Sequence, residues 1–174
     1  MLLYSPRWLF LYPGVALAAI GLLAGIWLLS GPKRFGPAAL DVHTLFYAAV
    51  AVLLGYQAIL FAIFARIFAM TRGLLPRQDR LLRAFKYVTL ETGLVIGGSL
   101  LLGGLAMSLM TFFSWRETGY GPLDVQRVLR RVIPAGLAIT LGAQTVFASF
   151  FLSLMGLDVR QFARTVDEHA NSST

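Results

Sequence analysis

The sequence predicts an all-α membrane protein: four transmembrane helices forming two repeated hairpins, with a short amphipathic helix at the membrane surface between the second and third. Three observations lead there. The 174-residue chain is 57% hydrophobic, with a mean hydropathy of +0.73, far above that of a soluble domain of this size. Its charged residues avoid four long stretches, residues 8–32, 42–65, 92–115 and 132–157. And several short patterns in the first half of the chain return in the second.

A charge at the centre of a bilayer costs about 2.5–3.5 kcal/mol, so uninterrupted charge-free runs are the signature of spanning helices. A run of 24 residues extends roughly 36 Å as a helix, against a hydrocarbon core of about 30 Å. Reading inward from the flanking charges places the helices at 9–30, 43–70, 88–113 and 132–156. Gly31-Pro32 stops the first, Asp41 caps the second, and Gly73 with Pro76 ends it. Pro134 falls in the first turn of the fourth, a position that tolerates a missing N–H. The first run is too long for a cleavable signal peptide, and Ser30-Gly31-Pro32-Lys33 offers no small-x-small cleavage site. The division is therefore a four-helix transmembrane domain over 1–164 and a polar, disordered tail over 165–174.

The net charge of +7 would point a soluble protein toward nucleic acid. Here the basic residues flank apolar spans and act as topology and headgroup signals, so no nucleic-acid partner is expected. Arg7, Arg66, Arg72, Arg77, Arg80, Arg83, Lys86, Arg160 and Arg164 outnumber Lys33, Arg34, Arg116, Arg127, Arg130 and Arg131 on the other side, which places both termini in the cytosol. The last three arginines precede the fourth helix at the far interface. With no cysteine, disulfides and thiolate metal sites are excluded.

The repeat is carried by Gly36-Pro37-Ala38-Ala39-Leu40-Asp41-Val42, echoed by Gly121-Pro122-Leu123-Asp124-Val125, and by Gly55-Tyr56-Gln57, echoed by Gly142-Ala143-Gln144. The Asp pair is offset by 83 residues and the Gln pair by 87, a difference of about one helical turn. Gly14 and Gly25 match Gly93 and Gly104 at an offset of 79. Two hairpins that each leave the cytosol and return would be related by an axis along the membrane normal.

Gly21-x-x-x-Gly25 and Gly93-x-x-x-Gly97 are small-residue patterns that let helices approach closely, and they predict that the first and third helices pack at the centre. Gln57 and Gln144 lie near the middle of their spans, where an amide without partners is costly. They read either as interhelical glue or as part of a polar path for a substrate. Arg66 and Glu91 sit at the cytosolic ends of the second and third helices, where they can pair. Between them, Arg72, Arg77, Arg80, Arg83 and Lys86 recur beside Leu74, Leu75, Leu81, Leu82 and Phe85, the pattern of a helix lying in the headgroup layer. This segment either sets topology or holds the phosphate of a lipid carrier, for which the guanidinium fork is suited. No phosphate loop, HExxH, GxSxG or Asp-x-Asp pair is present, so no catalytic residue, metal site or cofactor is assigned, and little chain remains outside the bilayer for an enzyme.

The run Leu3-Tyr4-Ser5-Pro6-Arg7-Trp8-Leu9-Phe10-Leu11-Tyr12-Pro13-Gly14, with Asp41-Val42-His43-Thr44-Leu45, Gly55-Tyr56-Gln57 and Ser149-Phe150-Phe151-Leu152-Ser153-Leu154, resembles the C-terminal membrane region of bacterial family 2 glycosyltransferases similar to dolichol-phosphate mannosyltransferases. The resemblance covers nearly the whole chain. It implies a multi-pass protein of a bacterial inner membrane that anchors a cytosolic GT-A catalytic domain and presents a polyprenyl phosphate to it, with membrane lipid and a possible homo-oligomer as further partners. The catalytic domain, with its metal and nucleotide residues, has no counterpart here, which implies a truncation or a separate membrane subunit. Two other readings stand beside it: a small translocase of lipid-linked sugar, and a structural membrane subunit.

Overall fold

A computed structural model describes residues 7–31, 33–35, 38–71, 90–117 and 124–171, with side chains resolved within 9–31, 40–69, 90–116 and 124–154. Four helices follow one another: α1 (Tyr12–Leu29), entered through a π-helical turn at Arg7–Leu11, α2 (Val42–Thr71), α3 (Leu90–Glu117) and α4 (Val125–Asn171). All four are long and apolar enough to cross a membrane. The predicted interfacial helix falls within 72–89, outside the described residues.

One element was not predicted. Between α1 and α2, β1 (Lys33–Phe35) pairs antiparallel with β2 (Ala38–Leu40). The connection must reverse direction in few residues, and a ribbon lets its backbone groups satisfy one another where no helix does so.

The fourth helix also differs from expectation. It begins at Val125 rather than near 132, so Arg127, Arg130 and Arg131 are helical and Pro134 lies inside the helix rather than in its first turn. Proline in a membrane helix is tolerated where neighbouring groups satisfy the freed carbonyl. At the other end its backbone stays helical to Asn171, through most of the segment expected as a tail, since Asp158 to Asn171 contains neither Gly nor Pro.

The helix packing corrects the predicted centre. α1 packs broadly on α2, α3 on α4, and the two hairpins meet where α2 runs beside α4. The order across the module is therefore α1, α2, α4, α3, with the first and third helices outermost. The reason lies in how the glycines are used. A Cβ at Gly14 would meet the Gly55 carbonyl oxygen at 2.9 Å, and one at Gly21 would meet that of Ala48 at 2.7 Å. A Cβ at Gly97 would meet the Gly142 carbonyl oxygen at 2.8 Å, and one at Gly104 that of Ala135 at 2.7 Å. Each glycine is used within its own hairpin, and the working pairs are seven residues apart rather than four. By contrast, Gly25 faces only the Ala48 Cβ at 4.0 Å.

These contacts also correct the repeat. Gly14 and Gly21 correspond to Gly97 and Gly104 at the Asp offset of 83, not 79, while Ala48 and Gly55 correspond to Ala135 and Gly142 at 87. The change of offset falls between the aspartate and the first small residue of the returning helix. α4 thus has one more turn than α2 at its start, and that turn carries the arginines.

Polar side chains on the helix surfaces are satisfied locally. Thr111, Ser114 and Thr140 each donate a hydroxyl proton to the carbonyl one turn back, at 2.9 Å.

Candidate functional site

Polar contacts join the two hairpins at two depths along the side where α2 meets α4. At the end near the β ribbon, Arg130 reaches from the extra turn of α4 to the first hairpin. Its Nη2 donates to Asp41 Oδ1, and its Nη1 donates to the Leu28 carbonyl at 3.0 Å. Both ionised side chains are largely enclosed, Arg130 at 18% and Asp41 at 13% exposure. The Leu28 carbonyl belongs to the last turn of α1, where orphan acceptors and the negative end of the helix dipole favour a cation. It also accepts from Gly31 N at 3.2 Å, at a residue whose φ of 135° suits glycine. One guanidinium therefore ties together the end of α1, the start of α2 and the start of α4, and the fork of donors makes this possible where a lysine would not.

About 21 Å along α4 from Arg130, fourteen residues at 1.5 Å each, the second group begins. Gln144 Nε2 donates to Gln57 Oε1 at 3.2 Å. Beside them the Tyr56 hydroxyl meets Thr145 Oγ1 at 2.7 Å. Thr145 donates its own proton to the Leu141 carbonyl at 2.7 Å, so Tyr56 is the donor in the cross-seam bond. Gln144 Oε1 is buried and keeps an unused acceptor. Further along, Phe64 and Phe151 close the seam with ring centroids 4.7 Å apart, and the hydroxyl of buried Ser149 bonds back to the Thr145 carbonyl at 2.7 Å.

Of the residues singled out in the sequence, Gln57 and Gln144 are brought together. Half-buried Arg66 and exposed Glu91 come to the same end of the module, the end marked by the Phe64–Phe151 and Gly93–Ser149 contacts. Arg72, Arg77, Arg80, Arg83 and Lys86 lie outside the described residues, in the connection that joins α2 to α3 at that same end. Arg130 was read only as one of three interfacial arginines, and Tyr56 only as part of the Gly55-Tyr56-Gln57 motif. The four-residue change of offset was the available signal for Arg130, since it places an additional turn where the arginines stand. Nothing in the sequence pairs Tyr56 with Thr145, because their repeat mates, Ala143 and Ala58, have no hydroxyl.

Residues 63–156 match the family described as the glycosyltransferase family 2 C-terminal transmembrane region. The chain belongs to this family. It is a multi-pass membrane protein. It is also 34% identical over 158 residues to the low-salt glycan biosynthesis hexosyltransferase Agl6 of Haloferax volcanii, a match covering 90% of this chain and 37% of that relative. The chain thus spans little more than a third of the relative's length. No solved structure matches it.

Proposed function

We propose that this four-helix module anchors a family 2 glycosyltransferase domain of the GT-A type and presents a polyprenyl phosphate to it at the cytosolic face, where both termini lie. The observation that carries this reading is the family match, which runs from the second half of α2 through the α2–α3 connection to α4. The similarity to a hexosyltransferase over nearly the whole chain supports it. Within the matched region, Arg72, Arg77, Arg80, Arg83 and Lys86 concentrate positive charge in one connection. Each basic residue beside a membrane contributes about 1 kcal/mol of attraction to anionic lipid, and arginine can hold a phosphate through two parallel bonds. The bond from Gln144 to Gln57 across the seam supports reading these two amides as interhelical glue.

The test is polyprenyl-phosphate binding by the protein in nanodiscs, followed by native mass spectrometry. Replacing Arg77, Arg80 and Arg83 together with alanine is expected to weaken binding at least tenfold while leaving the protein monodisperse. Equal binding by the variant would remove the phosphate site from this segment. Retained binding combined with no sugar transfer, when a GT-A domain is supplied, would remove the presentation role.

A further inference from the structure

α2 and α4 are the inner pair in the order of helices, yet each keeps an exposed face. On α2 it is a ridge: Tyr47, Leu54 and Phe61, seven residues apart and so on one side of the helix, are 70%, 57% and 50% exposed. On α4 it is a groove: exposed Gly136 and Thr140 and half-buried Ala143 follow at spacings of four and three, and a Cβ at Gly136 would meet nothing within 4 Å. Both features lie on one side of the module. Gln57 stands three residues after Leu54 and four before Phe61, Gln144 stands four after Thr140, and the bond between the two amides joins the ridge side to the groove side. Gln57 and Gln144, like Phe64 and Phe151, meet at a separation of 87 residues. Tyr47, Leu54 and Phe61 therefore stand level with positions 134, 141 and 148 of α4, next to Gly136, Thr140 and Phe147.

Gln57 decides what covers this face. It lies about 2 Å from the middle of the span Val42–Ala69 by the helical rise, and its side chain is exposed. Lipid tails suit the apolar ridge but offer nothing to a carboxamide, whose two N–H donors and two acceptor lone pairs are engaged at one acceptor by Gln144. A carboxamide is its own complement, and so is a face that carries a ridge and a groove at the same depth. Half a turn about an axis along the membrane normal keeps every residue at its depth and lays the ridge of each copy into the groove of the other. Tyr47 then covers Gly136 of the second copy, Leu54 covers Thr140 and Ala143, and the two Gln57 amides flank the axis, where they exchange hydrogen bonds. We infer that the module pairs with a second copy of itself through this face, as a parallel two-fold dimer with α2 and α4 of both copies at its centre. The pairing is independent of which lipid the module presents.

Single-molecule photobleaching of C-terminal fluorescent fusions, reconstituted at high dilution in liposomes, is expected to show two steps for the unaltered chain. Gly136→Leu fills the groove without meeting its own fold, so it should stay monodisperse in detergent yet lower the two-step fraction by roughly fivefold or more. Gly98→Leu, on α3 and likewise open around its Cβ, should leave two steps. Gln57→Leu should raise the dissociation constant about fivefold, since the reciprocal bonds at the axis are lost. The natural chain has no cysteine, so contacts can be mapped by co-expressing differently tagged copies, L54C in one and T140C in the other. Oxidation in native membranes should join these two, while L23C and L102C, at exposed positions of α1 and α3, should not join. One-step bleaching of the unaltered chain would overturn the dimer, and is the result if a different protein covers the face. Two steps that survive Gly136→Leu, or cross-linking of L23C with L102C in place of L54C with T140C, would overturn the assignment to this face.

Discussion

In the first hairpin Asp41 precedes α2 and in the second Asp124 precedes α4, each with its carbonyl accepting the first helical N–H at 3.0 Å, yet their carboxylates go to different places. Asp124 accepts from the backbone N–H of Arg127 at 3.3 Å and lies 3.8 Å from that residue's guanidinium, with side chains 59% and 78% exposed. This is ordinary helix capping in a solvated setting. Asp41 instead receives Arg130 from the other hairpin in a largely enclosed pair. The contacts of Gly14, Gly21 and Gly55 correspond to those of Gly97, Gly104 and Gly142, so the difference comes from the one extra turn of α4 and not from a different packing plan. Two copies of one hairpin can thus share their internal packing and still be joined asymmetrically, because a four-residue length change adds a turn while keeping every later side chain on nearly the same face.

The comparison can be broken most forcefully at the shared packing. Gly55→Leu and Gly142→Leu should each cost about 3 kcal/mol or more, because the new side chain meets backbone on both hairpins. Loss of a monodisperse peak in detergent is the expected readout, and it should be equal for the two. Gly98→Ala, at a position with nothing within 4 Å, is the matched control and should leave the peak unchanged.

The asymmetry is sharpened by the arginines. Arg130→Gln leaves Asp41 enclosed without its cation and should lower stability by roughly 3 kcal/mol, read as a drop in thermal midpoint in detergent. At mid-depth, Gln57→Leu or Gln144→Leu removes one interhelical bond and should cost about 1 kcal/mol, with the double variant costing little more than either single one. Arg127→Gln removes an exposed pair and should cost under about 0.5 kcal/mol. If Arg127→Gln proved as damaging as Arg130→Gln, the two aspartates would be doing the same work and the contrast would vanish.

The spanning helices were legible because a bilayer forbids ionised side chains at depth, so their absence marks each span directly. The repeat was legible from Gly-Pro, Asp-Val and Gly-x-Gln, and so was the need of Gln57 and Gln144 for partners. The glycine register was not, because Gly21-x-x-x-Gly25 and Gly14 with Gly21 are equally good small-residue ladders on paper, and only the neighbouring helix selects one. That choice also moved the centre of the module from α1 and α3 to α2 and α4. The change of offset marks the turn that carries Arg130, but its pairing with Asp41 was unreadable for a related reason. An arginine near a membrane interface has solvent and headgroups as ordinary partners, and Asp41, in the same position, is an ordinary cap. Their pairing is a property of how two hairpins meet, which local sequence does not encode.

Docking of the hairpins through α2 and α4 is tested most directly by oxidative cross-linking in native membranes. Cysteines at Gln57 and Gln144 should form an intramolecular disulfide efficiently, while cysteines at Gly25 and Ser108, at one depth on α1 and α3, should not. Efficient cross-linking of 25 with 108 and none between 57 and 144 would contradict the arrangement and restore the outer helices to the centre.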